Sequence, residues 1–292
     1  MTNNNAILAA MLTPFEEDGS VAADGIPPLV DYILGQGVHG LYVGGSTGEC
    51  VLQSREERAL VLTKLAAYAR GKCTLVAHVG AASTEDAIAL ADLAAREGYD
   101  AVSAVPPFYY KHRFDDIVDY YKAIADAACL PLIVYNIPAL SGANLSTDQL
   151  LHLISDERIG GMKYTATDLF QFAQLRRAAP NKSFYFGTDE MFLGAAAIGT
   201  DGGIGSTYNL IGDIYVGIHK AVEAGEIDDA RRLQAKSNSL VEILFETGVM
   251  PGLKYALRRQ GIPVGPCRRP FSPPAPAALA KLDQWMVDHL QR

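Results

Sequence analysis

Ile159-Gly160-Gly161-Met162-Lys163 is an apolar run that ends on a primary amine. Its length and composition are those of a buried β-strand, so a nitrogen stands where such a strand would offer valine or isoleucine. Runs of the same kind recur along the 292 residues, at 7–12, 41–43, 75–79, 101–105, 132–135, 161–163, 184–186 and 202–205. Most are separated by amphipathic segments of helical length with their own punctuation. Ser54 has Glu57 three residues on and Ser146 has Gln149, both capping-box spacings, while Gly71 and Gly98 follow their helices where a left-handed cap is wanted. Strands alternating with helices pair in parallel through crossovers, and eight such units predict a closed (β/α)8 barrel, an α/β fold of the TIM-barrel type. A short helix is expected between the last two strands, within 188–201. Beyond them, helices are expected at 228–247, 252–260 and 276–291, joined in part by a proline-rich connection over 263–276 that reads as a rigid packed loop. The expected organisation is a catalytic barrel over 1–225 carrying an appended helical region over 226–292.

Composition narrows the function. A chain that is 49% hydrophobic and 20% charged suits one large α/β domain. A net charge of −8 with interspersed signs argues against a nucleic-acid partner. Met1 is followed by Thr-Asn-Asn-Asn rather than a basic stretch and a long apolar run, and no later run nears the ~18 residues of a membrane span, so a cytoplasmic protein is expected. Cys50, Cys73, Cys129 and Cys267 are dispersed, and the six histidines show no zinc spacing, so neither a disulfide framework nor a metal is expected. His78 reads as a structural histidine and Cys50 as a packed thiol.

A lysine amine is only about four parts in ten thousand uncharged at pH 7 when unperturbed, and desolvation is how proteins turn lysine into a Schiff-base former. Lys163 is therefore either a paired structural charge or a nucleophile, and its neighbours decide. In a barrel of this kind the site is built at the C-terminal ends of the strands. Those ends carry Gly44-Gly45-Ser46-Thr47-Gly48-Glu49, Phe108-Tyr109-Tyr110, Tyr135-Asn136, Lys163, Gly187-Thr188-Asp189-Glu190 and Gly205-Ser206. The Gly44 loop reads either as a tight turn with Ser46 or Thr47 capping the next helix, or as an anion anchor built from closely spaced N–H groups and two hydroxyls. Opposite a strand-end lysine, it becomes an anchor for an acid group next to a carbonyl. The Tyr135 phenol is expected in the mouth near Lys163, where it can pass a proton to or from a reacting hydroxyl. Asp189 and Glu190, with Thr165 and Ser206, can accept from or donate to several hydroxyls of a polyol, and the acid pair disfavours a phosphate. Tyr109 and Tyr110 lie on a loop suited to a subunit contact.

Four motifs together resemble the pyruvate-dependent class I aldolases, the family of sialic-acid lyases and dihydrodipicolinate synthases. They are Gly-Gly-Ser-Thr-Gly-Glu (44–49), Tyr-Asn-Ile-Pro (135–138), Gly-Met-Lys (161–163) and Gly-Gly-Ile-Gly-Ser-Thr-Tyr-Asn (202–209). The resemblance implies that Lys163 forms an imine with a keto carbon, that Ser46 and Thr47 hold the adjacent carboxylate, and that Tyr135 moves the proton of the hydroxyl at the cleaved bond. It implies that Tyr109 reaches in from a neighbouring subunit to link Ser46 with Tyr135, in a homotetramer without metal or organic cofactor. The stretch 135–142 resembles the sialic-acid branch, whereas synthases place an arginine just after the proline, where Ala139 and Leu140 stand. Gly187, Asp189, Glu190, Thr165 and Ser206 match positions that hold the sugar tail. The implied reaction is reversible cleavage of N-acetylneuraminate to N-acetylmannosamine and pyruvate. Aldolases for 2-keto-3-deoxy sugar acids and the synthase itself are the neighbouring alternatives. Thr188, where an aromatic is common, and Tyr164, where some lyases have glutamine, depart from the lyase pattern.

Overall fold

The protein is described here by a computed structural model covering residues 6–290. The opening Met-Thr-Asn-Asn-Asn and the expected helix end at 291 lie outside the described residues. Eight strands form the barrel: β1 Ala6–Ala10, β2 Gly40–Val43, β3 Thr74–His78, β4 Ala101–Ala104, β5 Leu132–Asn136, β6 Ile159–Tyr164, β7 Ser183–Phe186 and β8 Gly202–Gly205. Each pairs in parallel with the next, and β8 closes on β1. Helices Ile26–Leu34, Arg55–Ala69, Thr84–Glu97, Phe114–Ala128, Thr147–Ile154, Leu169–Ala178, Phe192–Ile198 and Tyr208–Glu223 follow the eight strands in turn. Both expected capping boxes form, and Gly98 takes the left-handed cap. The (β/α)8 barrel expected from the sequence is the observed fold.

The core divides in two, as strand alternation requires. Leu8, Tyr42, Ile133, Tyr135, Tyr185 and Ile204 fill the barrel interior. A larger cluster fills the layer between strands and helices, with Met162, Tyr164, Phe172, Phe186, Phe192 and Tyr208 among its members. Along β6 the alternation is interrupted. Leu132 pairs with Ile159 and Ile133 with Gly161, so Gly160 is a bulge. Ile159 consequently joins the outer cluster while Gly161 and Lys163 keep the inward register. Strand β1 stops two residues short of expectation because the Leu12 N–H is taken by the Asn209 side chain instead of a neighbouring strand.

The appended helices are Ile227–Thr247, Val249–Arg259 and Pro276–His289. The second begins three residues before the expected start. Pro251 sits in its first turn, where the missing N–H is unneeded, and Gly248 at φ 76° breaks from the preceding helix. The last helix is pinned by Trp285, whose Nε1 donates to Ser239 Oγ at 2.8 Å. The proline-rich connection packs on the barrel through buried Val264, whose carbonyl accepts from the Phe15 N–H.

Candidate active site

Lys163 points into the barrel near the C-terminal end of β6 and is only 4% exposed. It is in register with Tyr135 on β5 and Tyr185 on β7. Its Nζ lies 4.0 Å from the ring centre of Tyr135 and 4.4 Å from that of Tyr42. Among the ion pairs of the described residues, none involves Lys163. The structural-charge alternative for this lysine thus lacks a partner, and two aromatic faces enclose the nitrogen instead. Tyr42 escaped the sequence reading because it lies within a strand rather than at its end. Its hydroxyl donates to Ser103 Oγ at 3.0 Å, and Ser103 donates to the Ile133 carbonyl at 2.8 Å, which fixes the ring under the amine. Burial pushes the Tyr42 phenol well above its ordinary pKa, so it stays neutral.

The Gly44–Glu49 loop is not the start of a long helix. It forms two short 3-10 turns, Ser46–Gly48 and Cys50–Leu52, and the helix begins at Arg55 with Ser54 as its cap. The N–H groups of Gly48, Glu49 and Cys50 are spent on the Gly45 and Ser46 carbonyls; those of Ser46 and Thr47 are not among these bonds. Neither Ser46 nor Thr47 caps a helix. Thr47 instead reaches across the mouth to Ser206, with 2.7 Å between their hydroxyl oxygens. Ser46, half-buried, lies on the wall of a cavity of about 740 Å³ beside Phe108, Ile137 and Leu140.

Glu49 closes the loop in the left-handed conformation, φ 60°, and turns away from the mouth. Its Oε1 is 2.8 Å from Lys254 Nζ and its Oε2 accepts the Arg268 N–H at 2.8 Å, with both side chains of the ion pair buried. Lys254 also donates to the Pro266 carbonyl, and the Phe15 ring lies against Lys254 and Arg268. The appended helical region therefore braces the loop that carries Ser46 and Thr47. His78 supports the loop's other end. Burial lowers its pKa well below the usual value, and the neutral ring can donate from Nδ1 to the Gly44 carbonyl while Nε2 accepts the Val105 N–H. Cys50 is buried, and burial raises its thiol pKa, as befits a packed side chain.

Across the barrel, Thr165 and Gly187 sit beside the lysine. The Thr165 hydroxyl oxygen is buried and has no hydrogen-bond partner. A methyl group added at Gly187 would lie 2.0 Å from that oxygen and 3.1 Å from Lys163 Cε.

The Asp189 carboxylate is buried, and its Oδ1 has no hydrogen-bond partner. Ile204 belongs to the barrel interior, so the flanking Gly203 and Gly205 face the other way, towards Phe192 and Tyr208 of the outer layer. The carboxylate lies on that side, where a methyl on Gly205 would be 2.1 Å from Asp189 Oδ1. Its Oδ2 accepts from both the Thr207 N–H at 2.9 Å and the Thr207 hydroxyl at 2.7 Å. Burial raises its pKa to about 6, against the opposing pull of the Thr207 bonds. Glu190, the other member of the pair, is half-buried. Tyr109 is not brought to Ser46 or Tyr135 within its own chain. It is 88% exposed, in the left-handed region at φ 79°, and packs edge-on against Tyr110. Among the described residues, no three His, Cys, Asp or Glu side chains converge to hold a metal.

Residues 3–287 match the dihydrodipicolinate synthetase family. The chain belongs to that family. It is 46% identical over 276 residues to an N-acetylneuraminate lyase of Rhizobium meliloti, covering 94% of this chain and 92% of that one. Among solved structures, CdNal from Clostridium difficile in complex with mannosamine superposes with a TM-score of 0.95 at 33% identity, over 98% of this chain and 99% of that one. The N-acetylneuraminate lyase of Fusobacterium nucleatum complexed with pyruvate gives a TM-score of 0.93 at 34% identity, over 98% and 97%.

Within this dihydrodipicolinate synthetase family member, Tyr164 is buried in the outer layer, as its place next to an inward lysine requires. Its hydroxyl lies 2.9 Å from the Asp168 carbonyl and from the Gln171 side chain. The residue thus steadies the loop carrying Thr165 and does not face the mouth. Gly187→Ala should destabilise the protein by about 1–3 kcal/mol, because the Thr165 and Lys163 side chains would both have to give. A fall in the thermal midpoint checks this; an unchanged midpoint would show that Thr165 simply rotates aside.

Proposed function

We propose that the protein is a Schiff-base aldolase that reversibly cleaves N-acetylneuraminate to N-acetylmannosamine and pyruvate. The observation that carries this reading is the buried Lys163 amine, free of ion pairs and enclosed by Tyr42 and Tyr135, at the rim that bears Ser46 and Thr47. In the proposed reaction the amine adds to the keto carbon C2 of the open-chain sugar acid and water leaves, giving a protonated imine. The substrate carboxylate on C1 is held by Ser46 and Thr47. Tyr135 takes the proton from the C4 hydroxyl as the C3–C4 bond breaks. The bonding pair moves into the imine, leaving an enamine and releasing the aldehyde of N-acetylmannosamine. Protonation at C3 and hydrolysis then free pyruvate and Lys163. The faces of Tyr42 and Tyr135 favour the positive charge of the imine. No metal or organic cofactor enters this sequence. Thr165, Gly187, Asp189, Glu190 and Ser206 are assigned to the sugar tail.

The relatives support the choice of substrate: one is a named N-acetylneuraminate lyase, and solved neighbours hold mannosamine and pyruvate. Ala139 and Leu140 offer no guanidinium for the second carboxylate of a synthase substrate, which would leave a charge without its partner. The homotetramer belongs to the same proposal. Val51, Tyr109, Tyr110 and Leu140 are all more than two-thirds exposed, and Val51 and Leu140 line the cavity at Ser46, so a second copy can cover this face and supply its Tyr109 to Ser46 and Tyr135. No helix of the described residues is long and apolar enough to cross a membrane, and the four cysteines are free, in keeping with a cytoplasmic location.

Incubation with pyruvate and borohydride tests the reading. It should add a reduced pyruvyl group at Lys163, and N-acetylneuraminate should release pyruvate in a coupled assay. Absence of the adduct would remove the mechanism; an adduct without turnover of this sugar acid would remove only the substrate. Tyr135→Phe should lower kcat by about 10²- to 10⁴-fold, the usual worth of a positioned proton carrier, while the borohydride adduct still forms. Unaltered kcat would take Tyr135 out of the proton transfer.

A further inference from the structure

Thr47 follows β2 and Ser206 follows β8, and their hydroxyl oxygens meet across the mouth at 2.7 Å. Among the described residues each of these hydroxyls has this one partner. Both ends of the contact are fixed from behind. Thr47 is buried on the turn that Glu49 ties to Lys254 and Arg268. The Ser206 carbonyl accepts from Asn209 Nδ2 at 2.8 Å, and the next residue, Thr207, gives both its N–H and its hydroxyl to Asp189 Oδ2. Asn209 is fully buried and also donates to the Ala10 carbonyl and accepts the Leu12 N–H, which registers Ser206 against β1. Proton counting then gives the contact a direction. A hydroxyl has one proton to give, and an ionised carboxylate can only accept, so a Thr47 that holds a carboxylate through its hydroxyl has spent that proton. The contact persists only if Ser206 donates to Thr47, which leaves Ser206 facing the rest of the ligand with lone pairs alone.

We infer that the Thr47–Ser206 contact couples the carboxylate anchor to the sugar subsite, with Ser206 a positioning residue for the anchor as well as a contact of the sugar tail. The inference deepens the aldolase reading and rests on it. In the synthetic direction pyruvate is already bound when the aldehyde arrives, so the Ser206 proton is committed to Thr47 and the sugar hydroxyl that meets Ser206 must donate. In the empty site either hydroxyl can be the donor, and the carboxylate selects one arrangement of the two. The consequence is a kinetic signature at a distance: removing a hydroxyl assigned to the sugar weakens the binding of pyruvate, which it does not touch.

The test reads the pyruvate concentration that half-saturates borohydride trapping at Lys163, with no sugar present. Ser206→Ala should raise it by about three- to tenfold, the worth of one hydrogen bond, and Ser206→Thr, which keeps the hydroxyl, should recover most of that loss. Thr47→Val should raise it as well. The double variant should match Thr47→Val alone within about twofold, because a hydroxyl that acts through Thr47 has nothing left to support. A merely structural serine would instead add its effect in both backgrounds. If Thr47→Val does not fold, the pair Ser206→Ala and Ser206→Thr decides: loss in the first and recovery in the second support the coupling. The inference is overturned if pyruvate saturation is unchanged in Ser206→Ala, even where the KM for N-acetylmannosamine rises, since Ser206 would then be a sugar contact alone. It is also overturned if Ser206→Thr recovers nothing, or if the two changes add in the double variant. No adduct in the unaltered protein would overturn the aldolase reading itself, and this inference with it.

Discussion

Lys163→Met should lower kcat/KM by on the order of 10⁴- to 10⁶-fold, the scale on which removal of a covalent nucleophile acts. Methionine has nearly the length of lysine and packs readily on aromatic rings, so it can keep the contacts to Tyr42 and Tyr135 while removing the nitrogen. Loss of activity with a retained thermal midpoint would then be a loss of chemistry. Borohydride and pyruvate should leave the variant's mass unchanged. Lys163→Arg should be equally inactive despite its positive charge, since a guanidinium does not lose its proton in proteins. Residual activity above about 1% of the unaltered rate in either variant would mean that another group carries the covalent step.

Lys254→Met should cost about 3–5 kcal/mol of stability, because it strands the buried Glu49 carboxylate. Burial already pulls the Lys254 pKa down, with Glu49 opposing that shift, so the pair is held together against a large desolvation cost. The double change Glu49→Gln with Lys254→Met removes both charges and should recover most of the loss. Thermal or denaturant unfolding of the two variants checks the prediction. A single variant within about 1 kcal/mol of the unaltered protein would show that water reaches the pair and relieves it. Since Glu49 ends the turn that carries Ser46 and Thr47, Lys254→Met should also weaken pyruvate saturation.

The barrel was legible because each strand is a short apolar run with helix punctuation after it, and because the polar residues collect at one end of those runs. Lys163 and Tyr135 could be placed together on the same grounds: each ends a run, and the two runs are neighbours. The outward turn of Tyr164 was also within reach, since side chains alternate along a strand and its neighbour faces in. The bulge at Gly160 was not, because a glycine in an apolar run reads the same whether or not it is paired. For Asp189 only the rim was legible, because a loop after a strand has no fixed alternation. The bonds from Thr207 to its Oδ2, and the room that Gly205 leaves beside β8, carry no local signal in the sequence. Glu49 belonged to a motif that the sequence tied to the anchor, but its partners Lys254 and Arg268 lie in the appended helical region and carry no local signal of the contact.

That long-range brace has a temporal consequence during synthesis. The strands and helices up to β8 leave the ribosome before residues 254 and 268 do, so a nascent barrel can close while Glu49 still lacks both of its buried partners. On this ordering, the serine-threonine turn reaches its final shape only in the last stage of translation, and the newborn chain is folded before it is competent.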